Sequence, residues 1–496
     1  MKNSIKFGTD GWRGITGFDF VEDRVKLISA GVCRYLKDRV FTTDSRKKNP
    51  LVVIGYDTRF LSERFAQSSA AVLCANGVEA EISDSFLTSP ALSYAVVNKK
   101  ADLGIMITAS HNPYYYNGYK IKGPFGGSAT MDIISGIEAE VNYLCHNREL
   151  KSYMDGESCA DNNKLQVNKS NLVQDYKKYI LSLADLDLIG KKFDFPVVVD
   201  PMYGAGQGIF REIISGLSRS NVHEIHGVLN SSFGGINPEP IGDNLTDAIY
   251  CLKEKNCQLA LCIDGDGDRI GAIGANGNFI SSHHIFAVVL DYLVRVKNYR
   301  GKVVKTVSTS SIIDRICKKY NLELAVKPVG FKYIGDEILS GGIIMGGEES
   351  GGLWAKGFIP ERDGIRMSLL LLEVICHENK SINEILKEIY NLYGFFLYKR
   401  TDYEISQTDK EILKKSLAGG IPEVLKSEGA SEPVLIDGYK YFFPDGSWLM
   451  IRPSGTESVV RIYAESDCSD KLERLHELGR RIIRNPYDER QANEYN

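Results

Sequence analysis

The sequence predicts an α/β protein of four domains: three similar mixed α/β sheet domains and a C-terminal α+β domain around a central cleft. At 496 residues the chain is too long for one hydrophobic core. Strands alternate with helical stretches three times, which is typical of parallel or mixed sheets covered by helices. The tail from about residue 397 lacks that repeat and predicts helices with an antiparallel sheet. We therefore expect domains at 1–165, 166–282, 283–395 and 396–496.

Each of the three repeats begins with a β-branched strand and a turn, as in LVVIGYDTR (51–59). A helical stretch follows, and a second apolar strand then ends in a polar loop that contains glycine. Ligands bind at the carboxyl ends of strands in such sheets, so we expect these loops to face one shared cleft. The three loops are ITASHNP (107–113), CIDGDGDR (262–269) and MGGEESGG (345–352).

Composition narrows the class of partner. With 43% apolar and 25% charged residues the chain is ordinarily globular, and a net charge of −4 gives no basic footprint for nucleic acid. We expect no signal peptide, because the opening residues lack an apolar stretch, and the longest apolar run, SLLLLEVIC, is shorter than the roughly 20 residues of a membrane helix. Ten scattered cysteines without CxxC or zinc spacing indicate reduced thiols in a cytoplasmic protein. We expect a small-molecule partner, and neither nucleic acid nor membrane.

One loop carries a candidate metal site, formed by Asp264, Asp266 and Asp268. Glycines between these residues let the backbone curl so that the carboxylates converge, and carboxylate oxygens are the ligands that Mg²⁺ prefers. The alternative is a solvated acidic turn. An EF-hand is excluded, because Arg269 stands where its glycine is needed and Ala275 where its glutamate is needed. We favour one Mg²⁺, with a further oxygen from a phosphate group or from Ser110.

Other loops suit anions and hydroxyl groups. RPSGTES (452–458) offers a forked arginine, hydroxyls and backbone N–H groups to a phosphate, although a plain β-turn would also use SGT. GGEESGG suits sugar hydroxyls or a helix N-cap. FGTDGWRG (7–14) and KPVGFKYIG (327–335) add weaker candidates for anion contacts. The candidate residues are Arg13, Lys332, Glu348, Ser350, Arg452, Ser454, Gly455 and Thr456.

Five motifs occur in a fixed order: FGTDGWRG, TASHNP, DGDGDR, GEESGG and RPSGTES. In that order they resemble the α-D-phosphohexomutase superfamily, and the match runs nearly end to end. The resemblance implies four domains in a heart shape around a central cleft. The catalytic residues it implies are Ser110, which carries the phosphoryl group, with His111, Lys120, Arg13 and Arg269. The metal ligands it implies are Ser110, Asp264, Asp266 and Asp268. The substrate contacts it implies are Glu348 and Ser350 to the sugar, and Arg452, Ser454, Gly455 and Thr456 to the second phosphate.

The reaction implied by this resemblance interconverts glucose 1-phosphate and glucose 6-phosphate. It proceeds through phosphoserine and a 1,6-bisphosphate intermediate, and glucose 1,6-bisphosphate is the expected activator. GEES, with Glu349 at the variable position and Gly352 where histidine is common, favours glucose. Phosphomannomutase or a dual-specificity enzyme is the alternative, and a phosphatase and a non-catalytic sugar-phosphate sensor are rival interpretations. Because the intermediate must turn round in the cleft, we expect a hinge before the last domain. We expect the protein to be a monomer or a homodimer.

Overall fold

The computed structural model describes residues 5–8, 11–43, 49–147, 153, 166–455 and 458–484. Four sheets succeed one another along the chain, with six, five, four and four strands. The first three sheets mix parallel and antiparallel pairs, whereas the fourth is antiparallel throughout. This architecture confirms the predicted fold class. In the described part of the chain, no helix has both the length and the apolar character needed to cross a membrane.

The first sheet contains β1 (Trp12–Ile15), β2 (Leu51–Tyr56), β3 (Glu79–Ser83), β4 (Leu103–Ile107), β5 (Tyr116–Lys122) and β6 (Asn168–Ser170). Their order is β1-β5-β4-β2-β3-β6. Strand β4 is buried at every residue, as expected for a central strand covered on both faces. Strand β6 pairs with β3 although it follows residue 165, the expected end of the first domain. The helices are Glu22–Thr43, Ser62–Ala75, Ser89–Asn98 and Met131–His146.

The second sheet contains β7 (Val197–Asp200), β8 (Val222–Glu224), β9 (Leu259–Ile263), β10 (Ile270–Gly274) and β11 (Phe279–Ile280), in the order β11-β10-β9-β7-β8. The third contains β12 (Lys302–Thr306), β13 (Leu324–Lys327), β14 (Ile343–Gly347) and β15 (Leu353–Ala355), in the order β13-β12-β14-β15. The helices of this region are Val173–Ser182, Leu186–Lys192, Ile209–Ser215, Thr246–Glu254, Ser282–Arg295, Ile312–Lys319, Phe331–Ser340, Gly364–Glu378 and Ile382–Tyr393, with 3-10 turns at Phe233–Gly235 and Gly242–Asn244.

The three α/β sheets share the same arrangement of strands around the loops that carry the candidate site residues. In each, a strand with parallel neighbours leads through a loop into an antiparallel strand: β4 into β5, β9 into β10, and β14 into β15. These three connections are the polar loops selected from the sequence. The repeat therefore places each loop at the carboxyl end of a buried strand, the usual location of ligand sites in such sheets.

The fourth sheet contains β16 (Leu397–Glu404), β17 (Tyr439–Phe442), β18 (Trp448–Pro453) and β19 (Val459–Ser466), in the order β16-β19-β18-β17. Its helices are Gln407–Ala418, Glu423–Lys426 and Ser469–Arg484. The helix Ser469–Arg484 packs across the sheet and closes a separate core. The tail is thus a small α+β unit, as predicted.

One helix, Gly364–Glu378, is buried along nearly its whole length. It contains the apolar run SLLLLEVIC, and a helix that is apolar on all sides must be surrounded by protein. Helices Leu186–Lys192, Ser282–Arg295 and Ile382–Tyr393 pack around it. The resulting core is continuous from the first to the third domain, whereas a small buried apolar cluster lies between the third domain and the fourth.

Candidate active site

The loop between β9 and β10, called here the acidic loop (residues 264–269), forms a buried cluster of carboxylates. Ligand oxygens of Asp264, Asp266 and Asp268 lie within 4.8 Å of one another, and all three side chains are buried. Asp264 Oδ1 accepts the backbone N–H groups of Asp268 and Arg269 at 2.8 and 3.0 Å, and these bonds curl the loop. Burial, then the charges of Asp268 and Asp266, raise the pKa of Asp264 well above its ordinary value. A solvated acidic turn is therefore excluded.

Ser110 reaches this cluster from the loop after β4. Its side chain is fully buried, and its Oγ donates to Asp264 Oδ2 at 2.8 Å. Its φ of 54° is strained for a residue other than glycine, and its N–H donates to Thr108 Oγ1 at 2.9 Å. A Cβ atom at Gly265 would lie 2.6 Å from the Ser110 carbonyl oxygen, so glycine is required for the two loops to meet. The structure thus joins residues 154 apart in the chain.

Two cations contact the same carboxylates. Lys120 on β5 is 1% exposed, and its Nζ lies 2.9 Å from Asp266 Oδ2 and 3.6 Å from Asp268 Oδ2. Arg269 pairs with Glu239 at 2.9 Å, and its Nε lies 4.0 Å from Asp268 Oδ1. Buried charges are tolerated only when they are paired, and here each cation has a carboxylate partner.

His111 and Arg13 lie beside the serine. His111 Nδ1 is 3.5 Å from Ser110 Oγ. Burial, followed by the positive charges of Arg269 and Arg13, lowers the pKa of His111 well below its ordinary value. The imidazole is therefore neutral near pH 7 and able to accept a proton. Arg13 on β1 donates through Nη1 to Asn112 Oδ1, so β1 contributes a cation to the loop between β4 and β5, called here the serine loop (residues 108–115).

The loop between β14 and β15, called here the sugar loop (residues 347–352), docks beside the acidic loop. Ser350 Oγ donates to Glu348 Oε1 at 2.7 Å, and Glu348 is buried. Arg362 joins the two loops, since its Nη1 donates to Glu348 Oε1 at 2.6 Å and its Nη2 lies 2.8 Å from Asp268 Oδ2. The sugar loop connects two strands, so the alternative of a helix N-cap is wrong.

The hairpin between β18 and β19, called here the phosphate loop (residues 452–458), lies on the fourth domain. Arg452 Nε donates to Asp437 Oδ2 at 2.9 Å. Ser454 is buried, and Gly455 has open space where a Cβ would stand. Thr456 lies outside the described residues. This described contact of Arg452 lies within the fourth domain, so the phosphate clamp stays a prediction.

Lys332 does not join the converged residues through its described contacts. Its Nζ lies 3.7 Å from Met131 Sδ and 4.9 Å from the centre of the Tyr333 ring. The first contact reaches the helix Met131–His146 of the first domain. An anion contact by Lys332 therefore stays a prediction.

Sequence reasoning missed Arg59, which fixes the serine loop. Its Nη2 donates to the carbonyl oxygens of Ser110 and Asn112, both at 2.6 Å. Its Nη1 donates to those of Pro113 and Tyr116 at 2.9 and 3.0 Å. The available signal was the turn DTR at the carboxyl end of β2. Only the fold shows that one guanidinium spans four carbonyl groups.

Arg362 and Ser89 were missed as well. Ser89 Oγ donates to Asp266 Oδ2 at 2.5 Å and so braces the acidic loop from the first domain. Arg362 is 6% exposed. It lies in ERD (361–363), a run of three charged residues directly before the apolar helix, and that position was the only signal for it.

The donor set fits a hard divalent cation. The three buried carboxylates supply oxygen ligands at close spacing, which suits Mg²⁺. Asp268 Oδ1 is buried and has no hydrogen-bond donor among the described residues. Ser110 Oγ, 2.8 Å from Asp264, offers a further oxygen at the same point.

Comparison with known families decides the assignment. Family models for phosphoglucomutase/phosphomannomutase match in sequence order: alpha/beta/alpha domain I at residues 4–146, domain II at 174–277, domain III at 281–393 and the C-terminal domain at 407–484. The chain belongs to the phosphoglucomutase/phosphomannomutase family. The resemblance to α-D-phosphohexomutases is thereby confirmed, and the family is one of mutases.

Individual relatives agree with this family over nearly the whole chain. A phosphoglucomutase of Komagataeibacter xylinus is 30% identical over 93% of this chain and 87% of its own. A phosphoglucosamine/phosphogalactosamine mutase of Sulfurisphaera tokodaii is 28% identical over 93% and 95%. The crystal structure of a candidate phosphomannomutase of Thermus thermophilus has a TM-score of 0.82 and 30% identity, covering 98% of this chain and 100% of that one. Because the names of these relatives differ in the sugar, the comparisons leave the hexose open.

Proposed function

We propose that this chain interconverts glucose 1-phosphate and glucose 6-phosphate, with phospho-Ser110 as the carrier and glucose 1,6-bisphosphate as intermediate and activator. This proposal rests on one observation: the serine hydroxyl, the carboxylates and a lysine come together in one buried cluster. Ser110 Oγ lies 2.8 Å from Asp264, and Lys120 Nζ lies 2.9 Å from Asp266. Phosphoryl transfer requires positioning and neutralisation of charge more than covalent help, and this cluster supplies both.

The charged residues divide the work of holding the transferring group. Asp264, Asp266 and Asp268 would hold one Mg²⁺, which when bound would neutralise charge on the phosphoryl group. Arg13 and Arg269 orient the phosphoryl oxygens from either side. Arg59 fixes the backbone of the serine loop, so that the Ser110 oxygen keeps its direction during transfer.

In the first half-reaction the bond between phosphorus and Ser110 Oγ breaks, and a bond from phosphorus to the sugar 6-oxygen forms. The proton of the 6-hydroxyl passes through Lys120 or neutral His111 to Ser110 Oγ, which ends as an alcohol. The bisphosphate then turns end for end. In the second half-reaction its 1-phosphoryl group returns to Ser110, and the serine proton moves to the sugar 1-oxygen.

Recognition of the sugar falls to the Glu348–Ser350 pair, with the phosphate loop holding the phosphate that is not transferring. Glu349, the variable residue of GEES, accepts hydrogen bonds from Ser308 Oγ at 2.6 Å and Thr306 Oγ1 at 3.1 Å. Its carboxylate thus lies against the end of β12 and acts on the sugar indirectly. We favour glucose on the GEES motif, and mannose is the alternative.

The test offers glucose 1-phosphate, mannose 1-phosphate and glucosamine 1-phosphate separately, with Mg²⁺ and a trace of the matching 1,6-bisphosphate. Phosphorus NMR then shows which sugar gains a 6-phosphate and whether inorganic phosphate is released. We expect rapid conversion of the glucose compound without released phosphate. Conversion of mannose 1-phosphate alone would contradict the glucose assignment, and steady release of phosphate would indicate a phosphatase.

The carrier is tested by Ser110→Ala, with Ser89→Ala as the matched control. Both changes remove a buried hydroxyl that donates to the acidic loop. Ser110→Ala should abolish turnover and labelling of the protein by bisphosphate, because no oxygen is left to accept the phosphoryl group. Ser89→Ala should lower the rate but keep both. Normal turnover in Ser110→Ala, with a circular dichroism spectrum like that of the wild type, would remove the proposed carrier.

A further inference from the structure

The sheet of the fourth domain has one face that leads from the third domain into the phosphate loop. Asp402, Arg461 and Arg452 lie directly opposite one another on β16, β19 and β18, so their side chains share one face. Arg400 precedes Asp402 by two residues on β16 and therefore lies on that face too. This face is called here the cationic face, after its three arginines.

The other end of the cationic face is docked. Trp448, Met450 and Tyr463 form a buried cluster with Val307 of the third domain. Tyr463 is the direct cross-strand partner of Arg400. Arg400 and Tyr463 thus form the last row of cross-strand neighbours that belongs to the contact with the third domain. The next row on the same face contains Asp402, Arg461 and Arg452, and it lies beside the phosphate loop.

Charge and exposure at Arg400 suit an anion. Its Nε and Nη2 donate to Asp402 at 2.8 Å each, and Arg461 Nε donates to the same carboxylate at 3.0 Å. Two arginines therefore donate to one aspartate. The Arg400 side chain is 34% exposed, and its described hydrogen bonds do not use Nη1.

The sugar loop lies near the same row. Burial, then the negative charge of Glu349, raise the pKa of Tyr463 to about 12. The Glu349 carboxylate is therefore close to Tyr463, the cross-strand partner of Arg400. Arg400 is also one row away from Arg452 of the phosphate loop on the same face of the sheet.

We propose that Arg400 binds a phosphate group of the sugar 1,6-bisphosphate while this intermediate turns round, and so keeps it in the cleft. The inference rests on the proposed function. During the turn both phosphates leave their sites, and a dianion without a cationic partner is easily lost to solvent. The Nη1 group of Arg400 offers it a charge-assisted hydrogen bond, the stronger class of such bonds. Loss of the intermediate leaves Ser110 unphosphorylated and the enzyme inactive until bisphosphate rebinds.

The experiment compares Arg400→Gln with Lys399→Gln. Lys399 is the preceding residue, lies on the opposite face of β16 and pairs with Glu473 at 2.6 Å, so its change removes the same charge away from the cleft. Protein labelled with phosphorus-32 on Ser110 is mixed with unlabelled glucose 1-phosphate under single-turnover conditions. The label is then divided between glucose 6-phosphate, protein and free bisphosphate.

Arg400→Gln should release free bisphosphate about tenfold more often than the wild type, the expected effect of losing one charge-assisted hydrogen bond. Its steady-state rate should recover with added glucose 1,6-bisphosphate. Lys399→Gln should behave as the wild type, and Arg400→Lys should fall between. If Arg400→Gln raises KM for glucose 1-phosphate with unchanged partition of label, Arg400 only braces Asp402 and the inference is overturned. A wild type that converts no hexose phosphate overturns the proposed function itself.

Discussion

Replacing Arg362 with methionine should separate the acidic loop from the sugar loop. The guanidinium donates to Glu348 at 2.6 Å and lies 2.8 Å from Asp268, and all three side chains are buried. The hydrogen bond to Glu348 joins two charged groups and is worth about 1.5–3 kcal/mol. If it persists in the transition state, its loss should lower kcat/KM by about 10–10²-fold, at about 1.4 kcal/mol for each factor of ten.

The assay measures kcat/KM for the converted hexose phosphate, and separately the Mg²⁺ concentration that half-saturates a thermal shift. Arg362→Met should weaken both, because Asp268 and Glu348 lose a shared partner. Arg362→Lys keeps the charge but loses the fork, and should lie between. Arg366→Met is the control, since Arg366 is a buried arginine four residues further on, and it should lower stability and spare kcat/KM. A value for Arg362→Met within about threefold of the wild type would refute the reasoning.

Two further changes test the fourth domain. Burial lowers the pKa of Lys440 from 10.5 to about 7. Below pH 7 the folded protein therefore buries a charged ammonium group, which lowers its stability by up to about 5 kcal/mol. This loss of stability becomes smaller as the pH rises from 7 to 10.5, because the folded state then holds Lys440 neutral. Lys440→Met should therefore raise Tm most at pH 6 and least at pH 10 in calorimetric scans, and an equal gain at every pH would contradict this. Gly438→Ala should lower Tm and raise KM, because φ is +104° and a Cβ would lie 2.8 Å from the Ile451 carbonyl oxygen and 3.1 Å from Arg452. Gly446→Ala, at φ +83° in open space, should lower Tm alone; a matching rise of KM there would show that Gly438 acts only through strain.

The meeting of Ser110 with the acidic loop could be predicted from the sequence for a physical reason. Both loops follow apolar strands, β4 and β9, whose repeat along the chain places them at equivalent edges of two sheets. The glycines that mark the acidic loop also permit the close approach, since Gly265 lies against the Ser110 backbone. The glycines that make the acidic loop recognisable in the sequence are therefore also the residues that allow its contact with the serine loop.

The arginines could not be predicted in the same way. Arg59 and Arg362 have long side chains whose partners depend on how separate domains pack, and no local spacing encodes that packing. Strand β6 was missed for a related reason. Its residues 168–170 are polar, and they form a strand because β3 offers an unpaired edge.

Three consecutive residues explain how the first three domains keep one geometry. Glu361 accepts from Lys122 of the first domain. Asp363 accepts from Tyr176 Oη at 2.8 Å in the helix Val173–Ser182, and the intervening Arg362 joins the acidic and sugar loops. All three are buried, and breaking a buried ion pair such as those of Glu361 and Arg362 by removing one partner costs about 3–5 kcal/mol. The pairs therefore specify orientation, and they hold the transfer site rigid.

The fourth domain is attached differently. Lys440 Nζ donates to the Val307 carbonyl at 2.8 Å, and the N–H groups of Ser311 and Val329 donate to carboxylates of the fourth domain at 3.0 and 2.9 Å. Each contact uses a backbone group of the third domain, and the apolar cluster between the two domains is small. Such contacts shift at lower cost than buried ion pairs. If the intermediate turns round inside the cleft, the motion that admits it therefore falls on the fourth domain and leaves Ser110 and the acidic loop in place.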